Sequence, residues 1–251
     1  MKNILLLLML PLFCITACRK GPVNGGSTPV PFNVTKYVNM GTHNDKGVPD
    51  YLAVKDQISS SLMNYISAQL PEFSDIRTKN PEYLKNADLS VTVKSEVSIT
   101  FVNEGTRYMN TLGYYLYKTG SSPKKAEDIK SIIYLFPNAS TVSTKAATGG
   151  LVPGDKVNIG IIEAGTSIGF VLLEKGWEPT TKTINTKATH FCSNKELNPE
   201  NRDELKQHTA LIEYPAENKT IIGFEDINRT LPECDHDFND VVIYATVKPA
   251  M

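Results

Sequence analysis

Oxygen-bearing side chains crowd one short stretch near the C-terminus, Asp235-His236-Asp237-Phe238-Asn239-Asp240, preceded by Glu225 and Asp226. Carboxylates packed this closely repel one another unless water or a hard cation neutralises them. Calcium suits such a group, because it takes six to eight oxygens at about 2.3–2.6 Å. Positions 235, 237 and 239 have the spacing that opens an EF-hand loop. Asp240 stands where that loop needs Gly, however, and Thr246 where it needs a bidentate Glu, so the stretch is not an EF-hand. A hexapeptide cannot saturate calcium alone. The expected ligands are Asp235, Asp237 and Asp240, with Asp226 or Glu225 and also Glu104 completing the shell. Asn239 either ligates through its amide oxygen or holds the loop by backbone hydrogen bonds. Phe238 lies between ligands and is expected to point into the core, coupling metal binding to packing. The competing account is a solvated acidic loop with Asp turns.

Three other constellations bear on chemistry. His190-Phe191-Cys192 and Cys234-Asp235-His236 mirror each other, and residues two apart on a strand share a face, so the two pairs offer four tetrahedral zinc ligands. The alternative for Cys192 and Cys234 is a disulfide, which an oxidising compartment permits. Gly165-Thr166-Ser167-Ile168-Gly169 fits the G-x-S-x-G string of serine hydrolases, with His190, His208 and His236 downstream. That motif needs a helix after the serine, whereas Phe170-Val171-Leu172-Leu173 favours a strand, so a hairpin turn is the expectation and Ser167 is not expected to be a nucleophile. Tyr108, Tyr114, Tyr115, Tyr117 and Trp177 are the candidates for stacking on a sugar in a carbohydrate-binding module, unless they are core aromatics.

The elements that must position these residues are mostly strands. Leu89, Val91, Val93, Val97, Ile99 and Phe101 alternate with polar residues, the period of a half-buried antiparallel strand. Shorter β-branched or aromatic runs cover 112–117, 129–136, 157–161, 168–173, 210–214, 221–224 and 241–247. Pro153-Gly154-Asp155 marks a turn. One helix is predicted over 50–70, capped by Asp50, striped by Ile58, Leu62, Ile66 and Leu70, and ended by Pro71. About eight or nine strands plus this packed helix predict a mainly β fold, an antiparallel β-sandwich or jelly roll.

The N-terminus sets the compartment. Lys2 is followed by the apolar run 4–15, too short to span a bilayer and ordered as a secretory signal. It ends in Ile15-Thr16-Ala17-Cys18, which resembles the lipobox of bacterial lipoproteins. That resemblance implies a signal peptide over 1–17, lipid on Cys18, and an anchored, exported protein at the outer membrane, its face of the membrane undecided. Residues 19–31 are rich in Gly, Pro, Ser and Asn, so 18–36 is read as a flexible tether and 37–251 as the folded domain. The formal net charge of −1 gives no electrostatic case for nucleic acid.

Phe224-Glu225-Asp226 followed by Cys234-Asp235-His236-Asp237-Phe238-Asn239-Asp240-Val241-Val242 resembles the closing signature of an uncharacterised bacterial surface domain, with its FEDL-like and DxDFNDVV segments. Ile99-Thr100-Phe101-Val102-Asn103-Glu104-Gly105, Leu112-Gly113-Tyr114-Tyr115 and Leu151-Val152-Pro153-Gly154-Asp155 extend the likeness. Gly47-Val48-Pro49-Asp50-Tyr51-Leu52 resembles the start of LruC-type lipoproteins. The resemblance implies a β-sandwich with a calcium site and no enzyme activity to carry over. The expected function is a calcium-binding, lipid-anchored envelope module with a structural, adhesive or ligand-binding role, its ligand a glycan or a surface protein. A carbohydrate-binding module and a hydrolase using Ser167 are the alternatives.

Overall fold

The computed structural model describes residues 28–85, 88–142 and 149–250. Cys18 and the signal segment lie outside them. The strands in chain order are β1 (Lys36–Asn39), β2 (Leu89–Val91), β3 (Ser95–Asn103), β4 (Thr111–Lys118), β5 (Ser131–Phe136), β6 (Lys156–Ile162), β7 (Thr166–Leu173), β8 (Trp177–Glu178), β9 (Thr183–Ile184), β10 (His190–Cys192), β11 (Thr209–Tyr214), β12 (Lys219–Phe224) and β13 (Val241–Pro249). One sheet runs β1-β5-β4-β7-β10, with β2 also on β7; the other runs β11-β12-β13-β3-β6. All pairings in the two sheets are antiparallel except β1 on β5. The fold is the expected β-sandwich.

The main core lies between the sheets, where Ile99, Phe101, Phe170, Leu172, Phe224 and Ile243 interdigitate. Each sheet is also covered on its outer face. Helix α1 (Ser60–Gln69) and the short α2 (Ile76–Lys79) bury Leu62, Ile66 and Ile76 with Val102, Ile221, Val242 and Tyr244 of the five-stranded sheet. Phe32, Ile129 and Leu197 cover Tyr115, Val171 and Cys192 of the other sheet. Burial on both faces explains why β7 reads as an unbroken apolar run and not as an alternation.

Four expectations are corrected. The helix begins at Ser60, ten residues late, behind the Ser59 cap, whose hydroxyl accepts the Leu62 N–H at 3.0 Å. Upstream, tertiary bonds hold the backbone extended: Ala53 N–H donates to Lys156 O at 2.7 Å and Asp56 N–H to Gly154 O at 2.9 Å. Asp50 accepts from the Thr42 hydroxyl at 2.6 Å and caps nothing. Next, the alternating run from Leu89 to Phe101 is two strands in different sheets. Exposed Val93 lies between them, where the chain changes layer. The turn at Gly165 (φ +78°) likewise joins β6 and β7 in opposite sheets and is no hairpin. Finally, the packed part begins inside the expected 18–36 tether, since Phe32 is buried and the Thr35 hydroxyl bonds Ile129 O at 2.8 Å. Among the described residues no helix is long and apolar enough to cross a membrane.

Candidate metal centre

Antiparallel pairing of β12 with β13 sets Phe224 opposite Val241, so the connecting loop, residues 225–240, leaves and re-enters the sheet at one point. Asp240 N–H donates to Phe224 O at 3.1 Å, and Asp226 N–H donates to the Asp240 carboxylate at 2.9 Å. Glu225 and Asp226 are therefore neighbours in sequence that serve opposite sides of the loop.

On one side, the buried carboxyls of Asp226 and Asp240 lie together, joined through the Asp226 N–H. Asp226 also accepts from Asn110 Nδ2 at 2.7 Å and from Thr106. Burial pushes both carboxyls above the usual range, and for Asp240 the neighbouring Asp226 and Glu225 charges add to it. Glu104 arrives from the end of β3, which lies against β13 through Asn103 opposite Val242. One of its oxygens accepts from the Thr141 hydroxyl at 2.9 Å, and Oε2 is buried without a partner. Burial, reinforced by the Asp226 charge, raises Glu104 too. Among the described residues no Lys or Arg forms an ion pair with these three carboxylates. The pair opens on a cavity of about 480 Å³ lined by Thr106, Arg107, Tyr108, Ile227 and Glu233, and Arg107 makes no ion pair with either carboxyl.

On the other side, Glu225, Asp235 and Asp237 bring carboxylate oxygens within 4.8 Å of one another. Here the oxygens are provided for. Glu225 accepts the Phe238 N–H at 3.0 Å and the Cys234 thiol at 2.9 Å. Asp237 accepts the Asn239 N–H at 3.1 Å and the Phe73 N–H at 2.8 Å. Burial still lifts Glu225 to about 7 and Asp237 to about 6. His236 (φ +61°) and Phe238 (φ +58°) both adopt left-handed backbone, a strain of about 1–3 kcal/mol each that the surrounding bonds must hold. Phe238 points inward as expected, though into the layer beneath α1 and not between the sheets. Asn239 takes the backbone alternative: its amide reaches Leu70 O at 3.5 Å, and a Cβ on Gly105 would run into its oxygen.

Sequence reasoning missed the buried partners behind this loop. Arg229 is 1% exposed and lies 4.8 Å over the Phe238 ring. Its Nη1 donates to the carbonyls of Gln207 and Leu205, and its Nε donates to His236 Nδ1 at 3.3 Å. Glu200 accepts the Arg229 N–H at 3.2 Å and pairs with His208 Nε2 at 2.9 Å, while the His208 ring stacks on Phe191. Neither Arg229 nor Glu200 lies in a recognisable motif, and only a buried acidic loop short of counter-charge hints that a cation is nearby.

The remaining candidates are dispersed. Cys192 and Cys234 are free and buried in different places, so the expected disulfide is absent. Cys192 lies in the cluster on the outer face of the six-stranded sheet, while Cys234 bonds Glu225 in the loop. His190 takes Tyr37 OH at 2.8 Å and stacks on Phe32, away from Cys234 and His236, so the four-ligand zinc set does not assemble. Ser167 sits on β7, bonded to Ser90 and Thr119 at 3.1 and 2.9 Å, with no His among its partners. Gly169, the last residue of that string, is a packing glycine: a Cβ there would enter the Tyr115 ring opposite it on β4. Tyr114, Tyr115 and Trp177 are buried and form no exposed platform; Tyr108 and Tyr117 are half-buried, Tyr108 with the Lys175 ammonium 3.8 Å over its ring.

No curated protein and no solved structure matches the chain. Residues 162–248, which run from the end of β6 through β13 and contain the whole acidic loop, match a domain of unknown function, DUF4114.

Proposed function

We propose that the chain is a calcium-held β-sandwich of the bacterial envelope, tethered through lipid on Cys18, with a structural, adhesive or ligand-binding role and no catalysis. Asp226, Asp240 and Glu104 are the carboxylates that face the ion. One observation carries this reading: the buried carboxyls of Asp226 and Asp240 lie together with no ion pair, and Glu104, which feels the Asp226 charge, has a buried, partnerless oxygen. An isolated buried carboxylate is costly unless protonated or paired, and a divalent cation held by Asp226 and Asp240, with Glu104 swinging in, would relieve that cost. Glu225 and Asp237 need it less, because N–H groups and a thiol already address their oxygens. Asp235 is more exposed than Glu225 and Asp237 and adds outer charge. Water and main-chain carbonyls at the open cavity complete the six to eight oxygens.

An ion that binds only the folded state adds about 2.7 kcal/mol when it is a hundredfold above its Kd. Adding millimolar calcium to the metal-free protein is expected to raise Tm, magnesium less so. Asp226→Asn combined with Asp240→Asn is expected to remove that rise. A wild-type Tm indifferent to calcium would sink the reading.

A further inference from the structure

We propose that Glu225, Cys234 and His236 form a second metal site, selective for a divalent ion of the zinc class. The site shares no residue with the calcium set and does not depend on it. Cys234 Sγ lies 2.9 Å from Glu225 Oε2 and 3.1 Å from His236 Nδ1. All three residues are buried, and their ligand atoms lie within 4.8 Å of one another. Sulfur and imidazole nitrogen beside one carboxylate are poor company for calcium, which prefers oxygen alone, and a good match for zinc.

The distances suit the entry of an ion. Around tetrahedral zinc, bonds of about 2.3 Å to sulfur and about 2.0–2.2 Å to nitrogen and oxygen separate neighbouring ligands by about 3.5 Å. The present contacts are shorter by roughly half an ångström, so entry of the ion requires only a modest spreading. Glu225 is already oriented for this, because Phe238 N–H holds Oε1 at 3.0 Å and leaves Oε2 toward the sulfur. Binding transfers the Cys234 proton to solvent, and the resulting thiolate together with the Glu225 carboxylate neutralises the divalent charge.

Arg229 is the competitor. Its Nε holds the same imidazole lone pair at 3.3 Å, a long contact that the metal must displace. The guanidinium keeps its carbonyl partners, Gln207 and Leu205, when that contact is lost. Three protein ligands leave the fourth tetrahedral position to water.

Cobalt(II) is the probe, added at one equivalent to the full-length, metal-free protein. The expected spectrum has a thiolate-to-cobalt charge-transfer band and tetrahedral d–d bands, and zinc removes both. Cys192→Ser is expected to retain the spectrum and Cys234→Ser to abolish it. His236→Asn, which tolerates the left-handed backbone, is expected to weaken zinc by more than about tenfold and to leave the calcium-induced rise in Tm intact. Absence of a thiolate band in the wild type, or its survival in Cys234→Ser, would overturn the assignment. Because cobalt absorption and the calcium shift are separate readouts, failure of one site leaves the other standing.

Discussion

The two sides of the 225–240 loop use the same side-chain chemistry and reach opposite electrostatic solutions. On the Glu225 side, backbone N–H groups of Phe73, Phe238 and Asn239 address the carboxylates, and a buried guanidinium lies near. On the Asp226 side, carboxylate meets carboxylate, and Glu104 contributes an oxygen with no partner. The first arrangement is satisfied by donors of its own and folds without calcium. The second is complete only with a proton or a cation. Burial alone therefore does not mark a calcium ligand; burial without a donor does.

The comparison breaks most severely at Phe238, whose ring is buried beneath α1 and whose N–H holds Glu225. Phe238→Ala empties a fully buried site beneath α1, and about 3–5 kcal/mol of stability is expected to be lost in denaturant unfolding. The cation–π contact with Arg229 goes with it.

A pH titration separates the loop from buried titratable groups elsewhere. His190, packed against Phe32 and Tyr37, is held neutral by burial, its pKa lowered to about 4. An unfolded His takes up its proton near 6.5, so between pH 6.5 and about 4 the unfolded chain binds more protons and stability falls with pH. The loss attributable to this residue is about 3 kcal/mol, complete near pH 4. His190→Gln is expected to flatten that part of the profile, measured by unfolding at a series of pH values without metal. An unchanged slope would show that the loop dominates the acid response.

The smallest effects are the sharpest, because their signs differ. Asp237→Ala leaves the N–H groups of Phe73 and Asn239 without acceptors and is expected to lower stability by about 1–3 kcal/mol, with or without calcium. In metal-free protein the Asp226→Asn, Asp240→Asn pair is expected to raise Tm by removing the carboxylate repulsion. Two losses of similar size would erase the distinction between the sides.

Much of this was legible in the chain. The apolar runs of β11, β12 and β13, the acidic loop and the inward Phe238 all follow from residue type and spacing. Glu104 was legible as a candidate, but its arrival depends on β3 lying beside β13, and pairing order is a long-range property that no local pattern encodes. The start of α1 was misread because Ile58 and Leu52 are apolar at helical spacing while Asp56 bonds Thr100, Lys156 and Tyr244 across the fold. Val93 hid the change of sheet, since an exposed Val in an alternating run looks like one more core residue. Arg229 was invisible because its partners are carbonyls supplied by distant backbone.

The parallel strand β1 has a mechanical consequence. Lys36 through Asn39 lie in register with Ser131 through Tyr134, just after Phe32 is buried and Thr35 is bonded to Ile129. A pull along the strand axis from the N-terminal side loads these hydrogen bonds together, in shear, and must also extract the Phe32 ring. Peeling would break them one at a time. The chain thus enters the sandwich through a strain relief, which raises the force needed to open the domain and leaves the 225–240 loop, on the other sheet, outside the path of the load.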